Sequence, residues 1–207
     1  IKIQRQIVNV LRDKIDSIDA LAKKTERQIN NMEAYIERRI TDMLIKKQKN
    51  AWTSGTINDF STINPSVREM KDRPEDGYLV SFVPMPAVSA EEGKITDHIV
   101  KPYAEVKKGY TYFVEGDIIF AKITPCMQNG KIAVARDLNN GIGFGSTEFH
   151  VIRVNDEVIP EWLYFLFRRK SYLETAATKM QGAVGQQRLP DTFIRDTEVA
   201  FPISIYE

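Results

Sequence analysis

The residue types that do chemistry are scarce in this chain. It has two histidines, His98 and His150, and one cysteine, Cys126, among 207 residues. The two histidines stand 52 positions apart, with no further metal-ligand residues grouped around them. With a single cysteine, a zinc site of the usual kind is not expected. Gly141-Ile-Gly-Phe-Gly145 carries Ser146 where a dinucleotide fingerprint needs its last glycine. Asn64-Pro65-Ser66-Val67 lacks the second proline and the aromatic residue of the amino-methyltransferase motif, and it reads as a turn. There is no nucleophile elbow and no phosphate loop, and no pair of carboxylates is marked out by spacing. The chain is therefore expected to perform no catalysis and to hold no metal or cofactor of its own.

Recognition chemistry is better represented. Thr124-Pro-Cys-Met-Gln-Asn-Gly-Lys131 is a polar loop between apolar strands. Glutamine and asparagine can bond two atoms of an adenine edge, and lysine reaches guanine or phosphate. Lys122, Thr124, Gln128 and Lys131 are the candidates there, against the alternative of an ordinary hairpin turn made by Asn129-Gly130. Gly182-Ala-Val-Gly-Gln-Gln-Arg188 offers bare amides, Gln186, Gln187 and Arg188 for phosphates. The alternative is a helix stop with a flexible connection. Ser146 and Thr147 could donate to phosphates, or satisfy backbone groups at the start of a strand. His150 lies within a strand pattern and reads as structural.

These loops need elements to position them. Residues 4–49 read as one long helix, with neither Pro nor Gly between Lys2 and Asn50. Leu11, Ile15, Ile18, Ala22, Ile29, Met32, Ile36 and Met43, with Thr25 and Arg39 completing the series, alternate steps of four and three. That is a heptad seam, and charges fill the other faces. Such a helix cannot bury its own stripe. It needs a second helix, from a part of the protein outside this sequence or from a second copy. Composition shifts at Asn50-Ala-Trp-Thr-Ser-Gly55, a hinge that gives two domains, 1–50 and 51–207.

In the second domain, strands are predicted at Tyr78–Val83, Tyr110–Val114, Asp117–Ile123, Lys131–Ala135 and Glu148–Val154. The second and third flank a Glu115-Gly116 turn, and an irregular stretch runs from Pro84 to about Lys101. Helices follow at Glu161–Lys170 and Ser171–Met180. Strands first and helices last make the fold class α+β: a long coiled-coil helix, then a strand-rich globular domain with C-terminal helices.

The mean composition, 43% hydrophobic and 28% charged, supports a packed core. No apolar run is long enough to span a membrane, and no secretory signal is visible. The lone cysteine fits a reducing cytoplasm. The net charge of +1 divides unevenly: residues 1–50 hold 12 basic and 7 acidic groups, residues 51–207 hold 17 and 21. Phosphate binding by an acidic domain requires its basic residues to gather on one face.

Glu115-Gly-Asp-Ile-Ile-Phe-Ala-Lys-Ile-Thr-Pro125, Gly145-Ser-Thr-Glu-Phe149 and Gly182-Ala-Val-Gly-Gln-Gln-Arg-Leu-Pro190, in this order after a heptad helix, resemble a type I restriction-modification specificity subunit. The ends strengthen the likeness. Ile1-Lys-Ile-Gln-Arg-Gln-Ile-Val8 would follow naturally from a segment like Phe201-Pro-Ile-Ser-Ile-Tyr-Glu207, as if a domain–helix unit occurred twice in a longer parent. Such subunits alternate two target recognition domains with two long helices, and this chain looks like the central helix plus the second domain. The resemblance implies a reader of one half of a bipartite site in double-stranded DNA. It implies modification subunits that methylate adenine and a restriction subunit that acts as motor and nuclease. S-adenosylmethionine, Mg and ATP would be bound by those partners alone. By the same analogy, base selection falls in the irregular stretch 78–112, where Lys94, His98, Lys101, Tyr103 and Lys107 are candidates.

A helix of about 45 residues spans about 65–70 Å, close to two turns of duplex at about 34–36 Å each. It could set the gap between half-sites. Two other readings stay open: the specificity region of a fused restriction-methylation enzyme, and a coiled-coil module that binds protein.

Overall fold

A computed structural model describes residues 2–45, 52–70 and 72–202. Met43 of the seam has its side chain outside the described set, as do Ile1, Asn50 and the 203–207 segment of the expected junction. The chain forms two compact units, Ile1–Met43 and Leu44–Glu207.

The first unit is the helix α1, Lys2–Ile45. At about 1.5 Å per residue its 44 residues extend about 66 Å. Its apolar seam is bare: Leu11, Ile15, Ile18, Ile29, Met32 and Ile36 are each 48–65% exposed. Leu21 and Tyr35 widen the stripe on one side and are as open.

The second unit is built on two four-stranded sheets and one two-stranded ribbon. The ribbon pairs β1 (Trp52–Thr56) with β10 (Glu198–Pro202) antiparallel, so the two ends of the unit are stitched together. After β1 comes the single turn α2 (Ile57–Phe60), closed at its start by the Thr56 N–H and hydroxyl, which both donate to the Asp59 carboxylate. One sheet contains β2 (Ser61–Ile63), β6 (Ile118–Ala121), β7 (Ile132–Val134) and β9 (Phe149–Val154), in the order β2-β9-β6-β7 and antiparallel throughout. The other contains β3 (Leu79–Val83), β4 (Ile99–Pro102), β5 (Thr111–Val114) and β8 (Ile142–Gly145), in the order β4-β3-β8-β5. Its β3–β8 pair is parallel.

The short helix α3 (Tyr103–Val106) follows β4. Three helices, α4 (Pro160–Phe167), α5 (Lys170–Thr178) and α6 (Asp191–Arg195), precede β10. Strands precede the longer helices, which makes the architecture α+β.

Val83 and Phe113 from one sheet meet Ile119, Ala133, Phe149 and Val151 from the other in a core that is almost wholly dry. Two glycines of β8 have no room for a side chain, one against the Phe113 ring and the other against backbone. A Cβ on Gly143 would lie 2.2 Å from that ring, and one on Gly145 would lie 2.5 Å from the Val83 carbonyl. β8 is glycine-rich because bulky neighbours lie flat against it. The opposite face of the β4-β3-β8-β5 sheet buries Val80, Tyr112 and Phe144 under Tyr103 and Val106 of α3. On the other sheet, Phe120 stacks on Phe167 of α4 at 5.6 Å between centroids.

One expectation changes, and the Glu115-Gly116 turn takes a definite place. The stretch from Pro84 to Lys101 is not wholly irregular, because it delivers the edge strand β4. The strands on either side of Glu115-Gly116 do not pair with each other. β5 and β6 belong to different sheets, and the turn carries the chain across the sandwich.

Candidate nucleic-acid interface

The carboxylates of the Glu115-Gly116-Asp117 turn are both engaged within the unit, Glu115 at the surface and Asp117 buried. Both Glu115 carboxylate oxygens accept from the turn at 137–138, from Asp137 N–H and Leu138 N–H at 3.0 Å each. Gly116 has φ +86, which favours glycine. Asp117, 2% exposed, accepts from the Val114 N–H at 2.8 Å and takes the Arg153 guanidinium at 2.9 and 2.7 Å. That bond holds the Arg153 guanidinium protonated, above its ordinary range, and Arg153 also lies over the Tyr112 ring. Through these contacts the motif positions strands.

What it positions is the end of β6. There, three segments far apart in sequence meet. The Lys122 N–H donates to the Glu148 carbonyl at 2.9 Å, and the Leu189 N–H donates to the Lys122 carbonyl at 2.8 Å. The Thr124 N–H donates to the Gln187 carbonyl at 3.0 Å, and the Gln187 N–H returns a bond to Thr124 Oγ1 at 3.1 Å. Lys122, Thr124, Ser146, Thr147, Gln186, Gln187 and Arg188, drawn from three separate stretches, thereby become neighbours.

The 124–131 loop is not a two-residue hairpin. Met127 N–H donates to Ile123 and Asn129 N–H to Pro125, helical turns that bury Met127 and leave Gln128 and Asn129 exposed. Gly130, at φ +71, then turns the chain into β7. Ser146 is occupied locally, accepting from the Glu148 N–H at 3.2 Å, while Thr147 beside it is exposed. The 181–188 segment is no loose connection. Gln181 and Arg188 exchange two backbone hydrogen bonds at 2.9 and 2.7 Å, and the Ala183 carbonyl accepts from Gln186 N–H at 3.0 Å. The Arg188 guanidinium forks onto Glu148 at 2.9 and 2.7 Å, which holds that carboxyl below the usual carboxylate range.

Two expected contacts point inward instead. Lys131 gives its ammonium to the Met85 and Val88 carbonyls at 3.2 and 2.6 Å. Tyr103 is 6% exposed and packs on Phe144, so it belongs to the core of the other sheet. Of the remaining candidates outside the β6 cluster, Lys94 pairs with Glu92 at 2.6 Å. Lys101 lies 5.0 Å from the Phe82 ring centroid and 3.7 Å from Glu105. Lys107 bonds Asp76, and His98 is half-buried.

Sequence reasoning missed how the 89–93 loop is held. Tyr164 donates to the Gly93 carbonyl at 2.9 Å, and Arg168 reaches the Ala90 and Glu91 carbonyls at 3.1 and 3.3 Å. The only local signal was the i,i+4 spacing of two polar side chains, Tyr164 on α4 and Arg168 at its C-cap. His150 is 4% exposed, with Nε2 donating to the Leu189 carbonyl at 2.8 Å and Nδ1 accepting from Asn64 at 3.3 Å. Desolvation lowers its pKa, so it is neutral and ties β9 to the segment leaving the 181–188 hairpin.

A cavity of about 730 Å³ lies against the β1–β10 ribbon, lined by Trp162, Tyr172 and Phe193 with Thr56, Asp59 and Thr197. Asp59 is engaged by Thr56, and Thr197 donates to the Phe193 carbonyl. Burial raises the pKa of Tyr172, keeping its phenol protonated. Among the described residues, no group of three or more His, Cys, Asp or Glu is placed to hold a metal, and no helix is long and apolar enough to cross a membrane.

No protein-family model matches the chain. The specificity subunits of the type I restriction enzymes EcoEI and EcoAI of Escherichia coli are each 38% identical to it over 152 residues. Those residues are 73% of this chain, which spans about a quarter of the length of either relative. Two solved structures share the fold. One is from a study of complex assembly and conformational transition of the type I R-M system, with TM-score 0.57 and 22% identity over 75% of this chain and 39% of that one. The other is the HsdS subunit of Thermoanaerobacter tengcongensis, with TM-score 0.56 and 21% identity over 79% and 40%.

Proposed function

The chain is a homologue of the type I restriction enzyme specificity subunits, and from that premise we propose that it reads one half of a bipartite DNA site. Adenine methylation and cleavage are left to partner subunits, which bind the S-adenosylmethionine, Mg and ATP. The observation that carries this reading is the 38% identity over 152 residues to two such subunits.

The geometry supports it in three ways. The end of β6 gathers Lys122, Thr124, Thr147, Gln186 and Gln187, side chains able to bond base edges and phosphates, and Gln128 is exposed on the loop that follows. Many of the basic groups in the second unit are engaged within it, Arg153 with Asp117 and Arg188 with Glu148. A reader whose cations are so often engaged, among the described residues, leaves much of the electrostatic grip to its methylating partners. Helix α1 offers a bare apolar stripe for an antiparallel partner helix, so that the pair acts as a ruler between two recognition modules.

The test is exchange. Cells whose residues 51–207 are replaced by another such domain should show one half of the methylated motif changed and the other half kept. A motif that stays whole, or changes in both halves, sinks the proposal. Inserting one heptad into α1 should lengthen the preferred gap by about 10 Å, or about three base pairs, at 1.5 Å per residue and 3.4 Å per base pair. An unchanged gap removes the ruler.

A further inference from the structure

Val184 is 99% exposed, at the tip of a hairpin that is otherwise held firmly. We propose that this tip enters the major groove and that Val184 makes an apolar contact with the C5-methyl of a thymine in the recognised half-site, an inference that rests on the reading of the chain as a DNA reader.

The hairpin is built to present one side chain. Its arms are joined by the Gln181–Arg188 pair, and its turn is closed by the Gln186 N–H on the Ala183 carbonyl. Gly185, third in that turn, has φ +83, the positive value that a type II turn requires there. Val184 therefore occupies the second position, where no neighbour covers it. The base of the hairpin is fixed twice, by the Arg188–Glu148 fork and by the Thr124–Gln187 backbone pair. A β-branched side chain adds stiffness at χ1. The tip is thus ordered before it meets anything, and little entropy is lost on contact.

The surroundings choose between partners. A protein interface needs a contiguous apolar centre, yet residues 181–186 are all exposed and hold two glycines and two glutamines around the small pair Ala183-Val184. A base edge needs the opposite: amide groups for hydrogen bonds with one small apolar group among them. Thymine is the base that offers a methyl in the major groove. Valine is also shorter than the Leu, Ile, Met and Phe wedges that unstack base steps.

The test uses the chain with its methylating partner subunits and a duplex carrying the methylated site, at fixed salt. Each thymine of the recognised half is replaced in turn by deoxyuridine, which removes only the methyl. Wild type should lose about fivefold in affinity at one of these positions, the scale of one methyl's burial. Val184→Ser should lose a similar factor on the natural duplex, keep its binding to non-specific duplex, and be indifferent to that deoxyuridine. Three results overturn the inference: a variant that binds the natural site like wild type, a deoxyuridine loss that persists in the variant, or a recognised half without thymine. A variant that fails to assemble with the partners in the absence of DNA also overturns it, by placing the tip on protein. If wild type shows no sequence preference at all, the DNA-reading proposal itself falls. If wild type discriminates and Val184 is inert, only the present inference falls.

Discussion

Helix α1 and the globular unit spend their hydrophobic residues in opposite ways. Ile18 and Met32 of the helix are 65% and 60% exposed, whereas Phe113 and Ile119 of the sheets are fully buried. Both sets follow regular spacings, four-and-three in the helix and alternation in strands. Periodicity states that a face exists. Only the tertiary structure states whether something within the same unit covers it. In the globular unit the partner surface is a second sheet of the same unit. In α1 the described residues leave the apolar stripe exposed.

The comparison can be broken from either side. The largest effect is expected from Phe113→Ala, which empties the space between the sheets. It should lower the unfolding free energy by about 3–5 kcal/mol in urea titration while leaving the seam of α1 untouched. Next comes Ile18→Asp with Ile29→Asp. Two charges in an apolar seam should weaken helix pairing by at least about 100-fold, about 2.7 kcal/mol, by sedimentation analysis. The urea midpoint of the globular unit should not move. If pairing is unaltered, the seam is not the interface.

Gly143→Ala is smaller. Its Cβ would press on the Phe113 ring at 2.2 Å, and we expect a cost of about 1–3 kcal/mol. The pair Gly143→Ala with Phe113→Leu should be less than additive, since the smaller side chain makes room. An additive pair would show that the ring is not what excludes a side chain at 143.

The smallest effect belongs to His150. Its pKa in the folded protein is depressed below the ordinary histidine value, so the unfolded chain takes up the proton first as pH falls. The stability it contributes is whole above about pH 6.5. It is lost as pH drops from there through the native value, with a slope of at most about 1.4 kcal/mol per pH unit. Urea midpoints at pH 7, 6 and 5 should show this decline, and His150→Gln should flatten it. An equal slope in the variant would trace the loss to other groups.

Much of this was legible beforehand, and its limits are instructive. The α+β class, the long helix and the main strands could be read because each depends on local spacing and on where Pro and Gly are absent. The motifs that carry the resemblance could be found, but their work could not. Glu115 and Asp117 look like surface carboxylates in sequence, yet each satisfies groups about 20–40 residues away. Lys131 and Arg188 look equally available for phosphate. One is spent on two carbonyls and the other on Glu148. The strand β4 was hidden because an edge strand with two exposed apolar residues, Ile99 and Val100, has no alternation to reveal it.

By itself the sequence determined the long helix, five of the strands and the two helices that follow them, and that α1 carries an apolar stripe. Those properties reside in neighbours within a turn or two. The tertiary structure decided which polar side chains are still available to a ligand. It brought residues 122–124, 146–148 and 186–188 to one place, and it turned Lys131 and Tyr103 inward. The reason is that availability is a balance over contacts between distant segments, and a hydrogen bond across 40 or more residues leaves no local trace in the chain.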